Sequence, residues 1–265
     1  MITRSVGQLE YVASPLLDTP HGFSTRLGGV SKGHLASLNL GCHRGDEPEA
    51  LRENYRRFCA AVGVGGDHLV MTHQVHGVRV QPVTAAQAKS DVLDETYIEA
   101  DGLVTDEPGV TLVIFTADCI PLLLFDPARR VAAAVHAGWR GTAGAIGAQA
   151  VKAMEAYGCK PGDIRAAIGP GIGPCCFETD ADVPQAMAAQ LGTLAEPYVS
   201  KKGDKWNVDL KRINKAVLLA AGLEPEHVDL SGDCTCCRHD KYWSHRYTHG
   251  LRGSQAAVIM LEGRP

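Results

Sequence analysis

The chain reads as an α+β fold, with mixed β-sheets flanked by helices. Three observations predict it. Apolar runs of strand length are interspersed with longer amphipathic segments. The two kinds interleave without a strict βαβ repeat. Clusters of Gly, Pro, Ser and Asn punctuate both. At 265 residues, 45% hydrophobic and 21% charged, the chain can bury a sizeable core, and a single domain spanning 1–265 is expected.

Element by element, residues 23–45 (FSTRLGGVSKGHLASLNLGCHRG) suggest loops between short strands. A helix is expected over 47–62, with Asp46 as N-cap and Pro48 in its first turn. HLVMTHQVHGVRVQPV reads as β structure broken at Gly77, and residues 84–96 as a polar connection. GVTLVIFTADCIPLLLFDPARRVAAAVHAGW supplies two or three buried strands. Thr142 is expected to cap one continuous helix that stops at Gly158. DIRAAIG is a further strand, helices are expected near 183–192 and 207–221, and SQAAVIML is the closing strand.

The formal charge of −4 argues against an electrostatic footprint for nucleic acid or a membrane surface. The longest apolar run, Val110 to Phe125, is interrupted by Thr116, Asp118 and Pro121, too short and polar to span a bilayer. The N-terminus has no continuous apolar core of a signal peptide, so a cytoplasmic protein is expected. In that setting the nine cysteines do not read as a disulfide framework.

The stretch FTADCIPLLLFDPARRVAAAVHAGWRG, residues 115–141, carries the chemistry. If DPAR makes the turn and Phe125 pairs with Val131, antiparallel partners sum to about 256, which brings Cys119 opposite His136 within one register step. A thiolate and an imidazole at that range can share a metal ion or a proton. THQVHG offers His73 or His76 as a third ligand, but on a strand the two face opposite sides. Two His and one Cys suit zinc, with a fourth position left for water or substrate. Residue types and spacing alone favour a bland alternative: a Cys packed in an apolar strand and a satisfied polar His. Arg140, just before an expected helix start, can hold a phosphate or carboxylate, or pair with an Asp while Trp139 packs in the core.

Cys234-x-x-Cys237 is a possible structural zinc pair, for which Cys236, His239 or the distant Cys175–Cys176 would have to complete the set. No second pair has the usual tight spacing, so these thiols are expected to pack or to lie exposed near the pocket.

RLGGVS, SLNLG, QVHG, ADGLVT, TADCIPLLLFD, VHAGWRGT, IGPGIGPCCFE and DCTCC occur in the order typical of the YfiH, or laccase-domain, family, and the chain resembles it from about Thr25 to the C-terminus. The resemblance implies a layered sandwich similar to the toxin deamidases. It also implies a zinc site, at once catalytic and metal-binding, on His76, Cys119 and His136. His73 falls outside the motif, which leaves it a structural or supporting role. The implied activity is phosphorolysis of purine nucleosides, methylthioadenosine included, with adenosine deaminase activity; the partners are purine nucleosides and phosphate. Asn39 and Arg140 are the expected substrate contacts, and Asp118 or a free His the expected proton carrier. Arg44, where the family usually has an apolar residue, and SHRYTHGLRGSQ depart from the pattern at the expected pocket rim.

Three competitors remain. Cys119 and His136 can form a metal-independent nucleophile–base pair. A copper polyphenol oxidase, the older description of such proteins, would want His-x-His units that the chain lacks, although copper can occupy the zinc ligands as an adventitious or alternative metal. The last is a non-enzymatic, zinc-stabilised interaction domain.

Overall fold

The computed structural model describes residues 1–94 and 97–263. Strands β1 (Ile2–Val6), β2 (Leu9–Ala13) and β3 (His21–Ser24) are followed by helix α1 (Pro48–Val62) and by β4 (Leu69–His73), β5 (Val80–Pro82), β6 (Ile98–Glu99) and β7 (Gly102–Thr105). Next come β8 (Thr111–Thr116), β9 (Ile120–Asp126), β10 (Val131–Ala137), α2 (Trp139–Ala143), α3 (Ile146–Glu155), β11 (Arg165–Ile168), β12 (Glu178–Thr179) and α4 (Asp182–Leu191). Strands β13 (Val199–Lys202) and β14 (Lys205–Val208), helix α5 (Leu210–Ala220), β15 (Val228–Leu230), α6 (His245–Thr248) and β16 (Gln255–Met260) complete the order.

Two large mixed sheets form. One runs β1-β2-β3-β16-β8-β4-β6 and the other β15-β11-β9-β10-β7-β5, with a small third sheet of β12-β14-β13. Successive side chains of a strand point to opposite faces, and β9 uses both. Leu123 and Phe125 pack between the two large sheets, against Leu112, Ile114 and Ile259. Leu122 and Leu124 turn the other way, into a core shared with Ile146, Val151 and Met154 of α3 and Ile213 and Val217 of α5. The outer face of the first sheet, with Tyr11, Met71 and Val258, is covered by Leu51, Tyr55 and Phe58 of α1. The result is a layered helix–sheet–sheet–helix sandwich, as expected. Among the described residues no helix is long and apolar enough to cross a membrane.

Helix α1 follows local rules. Pro48 occupies its first turn, Leu51, Tyr55, Phe58 and Cys59 form one buried stripe, and Gly63 ends it at φ 82° with its N–H on the Cys59 carbonyl. Asp46 is not the N-cap; Glu47 takes that place. The Asp46 carboxylate instead accepts hydrogen bonds from Ser31 Oγ, Asn39 Nδ2 and the Glu47 N–H.

Other expectations shift. Phe125 pairs with Ala132, not Val131, because Asp126 is itself the last strand residue and its carboxylate caps the turn through the Ala128 and Arg129 N–H groups. His136 therefore stands opposite Pro121. The helix expected to run on from Thr142 is two helices, broken at Ala145 with φ 55°. Thr142 lies inside α2, where its hydroxyl accepts from Asn214 Nδ2 at 2.9 Å. Residues 95 and 96 of the expected polar connection lie outside the described residues.

Candidate metal centre

Three chain segments meet at one end of the sandwich: the turn after β4, the bend between β8 and β9, and the end of β10. They bring His76, Cys119 and His136 together, with one ligand atom from each within 4.8 Å of the others. His76 Nε2 lies 4.0 Å from Cys119 Sγ, and the two imidazoles meet edge to face with centroids 4.9 Å apart. His73 is left exposed at the end of β4, on the wall of the adjoining cavity and apart from the trio.

One buried carboxylate organises the arrangement. Asp101 Oδ1 accepts from His136 Nδ1 at 2.8 Å and from the His76 N–H at 3.0 Å, while Oδ2 accepts from the N–H groups of Gly77 (2.7 Å) and Val75 (3.2 Å). The same residue thus clamps the turn that carries His76 and fixes the ring of His136 through Nδ1, turning Nε2 toward Cys119. Those hydrogen bonds outweigh burial and hold the Asp101 carboxyl below its usual range. Strained backbone flanks the site, with His76 at φ 61° and Asp118 at φ 87°. Asp118 is held by Thr235 Oγ1 at 2.6 Å and by the Arg246 N–H at 2.7 Å.

Gly138, between the two ring systems, is required for space, since its φ of −65° suits any residue. A Cβ there would lie 2.8 Å from His76 Cδ2 and 3.4 Å from Cys119 Sγ. Burial pushes the Cys119 thiol up, but the charges and hydrogen bonds of His136 and His76 bring it down to about 6. Burial likewise opposes protonation of His136, which Cys119 and Asp101 overcome, raising it to about 9. Cys119 is thereby held toward its thiolate and His136 toward its imidazolium, whose proton a cation can displace. Two imidazoles and a thiolate, with a carboxylate behind one ring, suit zinc and also accept copper.

The site opens into a cavity of about 260 Å³ whose walls include His43, His73, Tyr97 and Phe115. Arg44 and Arg252 line it as well, both bonded to Ser254 Oγ, at 3.3 and 2.7 Å. Burial lowers both guanidinium pKa values, Arg252 to about 10 with Arg44 adding to the effect. Arg252 Nε is buried with no hydrogen-bond partner. No Asp or Glu is among the described lining residues.

Two expected substrate contacts are not brought to this cavity. Asn39 is fully buried; its amide binds Asp46 Oδ2 and Gly41 O, and its carbonyl accepts from the N–H groups of Gly41 and Ser254. It ties the loop after β3 to the C-terminal strand. Arg140 is exposed within α2, its guanidinium 4.2 Å from the Trp139 ring centroid. Asp118 is spent on Thr235 and Arg246, outside the lining. Asp101, Gly138, Tyr97 and Arg252 were not singled out from the sequence. Asp101 and Gly138 lie within ADGLVT and VHAGWRGT, two of the stretches that carry the family resemblance.

The fold is a sandwich of two mixed sheets, with a His/Cys trio that could hold a metal ion at the mouth of a cavity. The chain belongs to the family described as multi-copper polyphenol oxidoreductase laccase, which matches residues 20–262. A purine nucleoside phosphorylase of Deinococcus radiodurans is 41% identical over 257 residues, covering 97% of this chain and 94% of that protein. The crystal structure of YlmD from Geobacillus stearothermophilus superposes with a TM-score of 0.90 at 34% identity over 98% of each chain. That of the Bacillus licheniformis hypothetical protein YfiH gives 0.91 at 30% identity, over 98% of this chain and 99% of that one.

Proposed function

We propose that the chain is a zinc-dependent purine nucleoside phosphorylase. The observation that carries the reading is one cavity holding both the His76–Cys119–His136 trio and the desolvated Arg44–Arg252 pair. Relatives named purine nucleoside phosphorylase supply the substrate class. Zinc bound there supplies a Lewis acid with an open coordination position.

The rest is the work of this chain's own side chains. Arg44 and Arg252 repel each other and are both desolvated. A phosphate between them relieves both costs and gives the orphaned Arg252 Nε an acceptor. Tyr97 and Phe115 offer aromatic faces to a purine. A phosphate oxygen bonds to the anomeric carbon as the glycosidic bond breaks, and the purine leaves with a proton. His43 and His73 are the imidazoles on the wall that can supply it. Methylthioadenosine fits the same scheme. Adenosine deamination is the second activity; it usually relies on a carboxylate proton carrier, so here it would depend on those imidazoles and run more slowly.

A second reading has its own support. Cys119 as thiolate, His136 as imidazolium and Asp101 as orienting carboxylate also describe a nucleophilic triad that needs no metal. The test is turnover of inosine, adenosine and methylthioadenosine with and without phosphate, before and after chelation. Phosphate-dependent base release that chelation abolishes, with Arg252→Ala raising the phosphate KM, supports the phosphorylase. Turnover indifferent to both phosphate and chelator, but stopped by alkylating Cys119, would replace it with the thiol mechanism.

A further inference from the structure

Away from the cavity, the loop after β11 and the loop after β15 bring four thiols together. Cys175, Cys176, Cys234 and Cys237 place their sulfurs within 4.8 Å of one another, with Cys237 Sγ 3.4 Å from both Cys175 Sγ and Cys176 Sγ. In a tetrahedral zinc tetrathiolate with Zn–S near 2.3 Å, the sulfurs stand about 3.8 Å apart. The observed set is already close to that spacing. A disulfide is a different arrangement, since its sulfurs lie about 2.05 Å apart, and all nine cysteines are free.

We propose that these four cysteines form a second, structural zinc site, distinct from the His76–Cys119–His136 centre and independent of the function proposed for it. The sequence separates the ligands into an adjacent pair and a C-x-x-C pair some 60 residues later, which is why spacing alone did not join them. Folding does. The two loops are bridged at Gly171 and Cys234, and the Thr235 N–H bonds the Gly171 carbonyl.

The surroundings fit a dianionic tetrathiolate. The Gly173 N–H donates to Cys234 Sγ at 3.1 Å, the kind of supporting bond a metal thiolate takes from its outer shell. A Cβ at Gly173 would crowd Cys175 Sγ and Cys234 Cβ at 3.2 Å, so this glycine lets the backbone approach the sulfurs. Lys211, buried, places its ammonium on the Ser231 and Asp233 carbonyls beside the C-x-x-C loop, and Arg246 holds the Cys176 carbonyl. Both cations offset negative charge on the cluster. Cys175 and Cys237 are exposed, which gives a metal a way in. Binding displaces the thiol protons, up to four per ion, and forms four Zn–S bonds with no redox change.

The site staples the Thr235 loop, and Thr235 holds the Asp118 carboxylate one residue from Cys119.

The test is zinc content and X-ray absorption on tag-free protein purified under thiol reductant. Two zinc ions per chain are expected in the wild type and one in His76→Ala/Cys119→Ser, the remaining ion showing only sulfur at about 2.3 Å. Cys234→Ser/Cys237→Ser should lose that ion. Should the latter variant fail to fold, titrating folded His76→Ala/Cys119→Ser with a mercurial decides: one zinc should be released as the four thiols react. A His76→Ala/Cys119→Ser protein without zinc, an ion with nitrogen or oxygen ligands, or a mass 2 Da low from a disulfide would each overturn the proposal.

Discussion

Asp101 shows how a single side chain can build a site without touching what the site holds. Its Oδ1 holds the ring of His136 and the backbone of His76 at once, so a single oxygen sets the separation of the two residues. Asp101→Asn keeps the size but removes the charge and one of the two acceptors, which strands at least one of four donors. Supporting groups of this kind are worth about 10–100-fold in metal affinity, and that loss is expected in a competitive zinc titration, with the circular dichroism spectrum unchanged. Affinity equal to wild type would show that the trio needs no such clamp. Gly138→Ala tests the same geometry from the steric side. The new methyl forces His76 aside, so zinc affinity should fall while a control at exposed Gly263, where a Cβ meets nothing, binds normally. At this scale the sequence was most legible where residue types are rare. A Cys, two His and their flanking motifs single out three side chains that the structure brings together, whereas Asn39 and Arg140 meet neighbours that the chain order does not reveal. Arg252 and Arg44 meet at Ser254 Oγ from distant parts of the chain.

Elements were legible where their reasons are local. The Pro48 start, the apolar stripe and the Gly63 stop all sit within α1 itself. Register was not local. A carboxylate at Asp126, reaching over its own turn, moves the β9–β10 pairing by one residue, and no periodicity records that. The β1–β2 hairpin went unread because every residue of β1 is exposed and shows no alternation. Strand β3 carries a pH prediction. His21 donates from Nδ1 to the Thr19 carbonyl at 2.7 Å, and its Nε2 accepts from the Ser14 N–H at 2.9 Å, so only the neutral ring satisfies both. Burial lowers its pKa; the Thr19 bond opposes this and the Arg4 charge adds to it. With the folded value below the unfolded value of about 6.5, the unfolded chain binds more protons between the two. Stability is then full above about pH 6.5 and declines as pH falls toward the folded value. The gap between urea midpoints at pH 7.5 and 5.5 should be smaller for His21→Gln than for the wild type. Equal acid losses in both would assign the sensitivity elsewhere.

For the whole molecule, the layers matter because they decide where chain segments end. The mixed sheets place the end of β4, the β8–β9 bend and the end of β10 at one edge, so His76, Cys119 and His136 come from segments that no local structure joins. An unfolded chain presents no such set, so binding of the proposed metal would be coupled to folding. A zinc concentration 100-fold above its dissociation constant should stabilise the native state by about 2.7 kcal/mol at one site. Chelation strips zinc from any thiolate cluster as well, so the wild type alone cannot assign the effect. The difference between wild type and Cys119→Ser in the chelator-induced shift of the urea midpoint isolates the His76–Cys119–His136 contribution. A shift that is smaller in Cys119→Ser by about that amount ties the trio to the global fold. Identical shifts in the two proteins would mean that the trio binds no metal tightly, and the thiol-nucleophile reading would then account for the same three side chains.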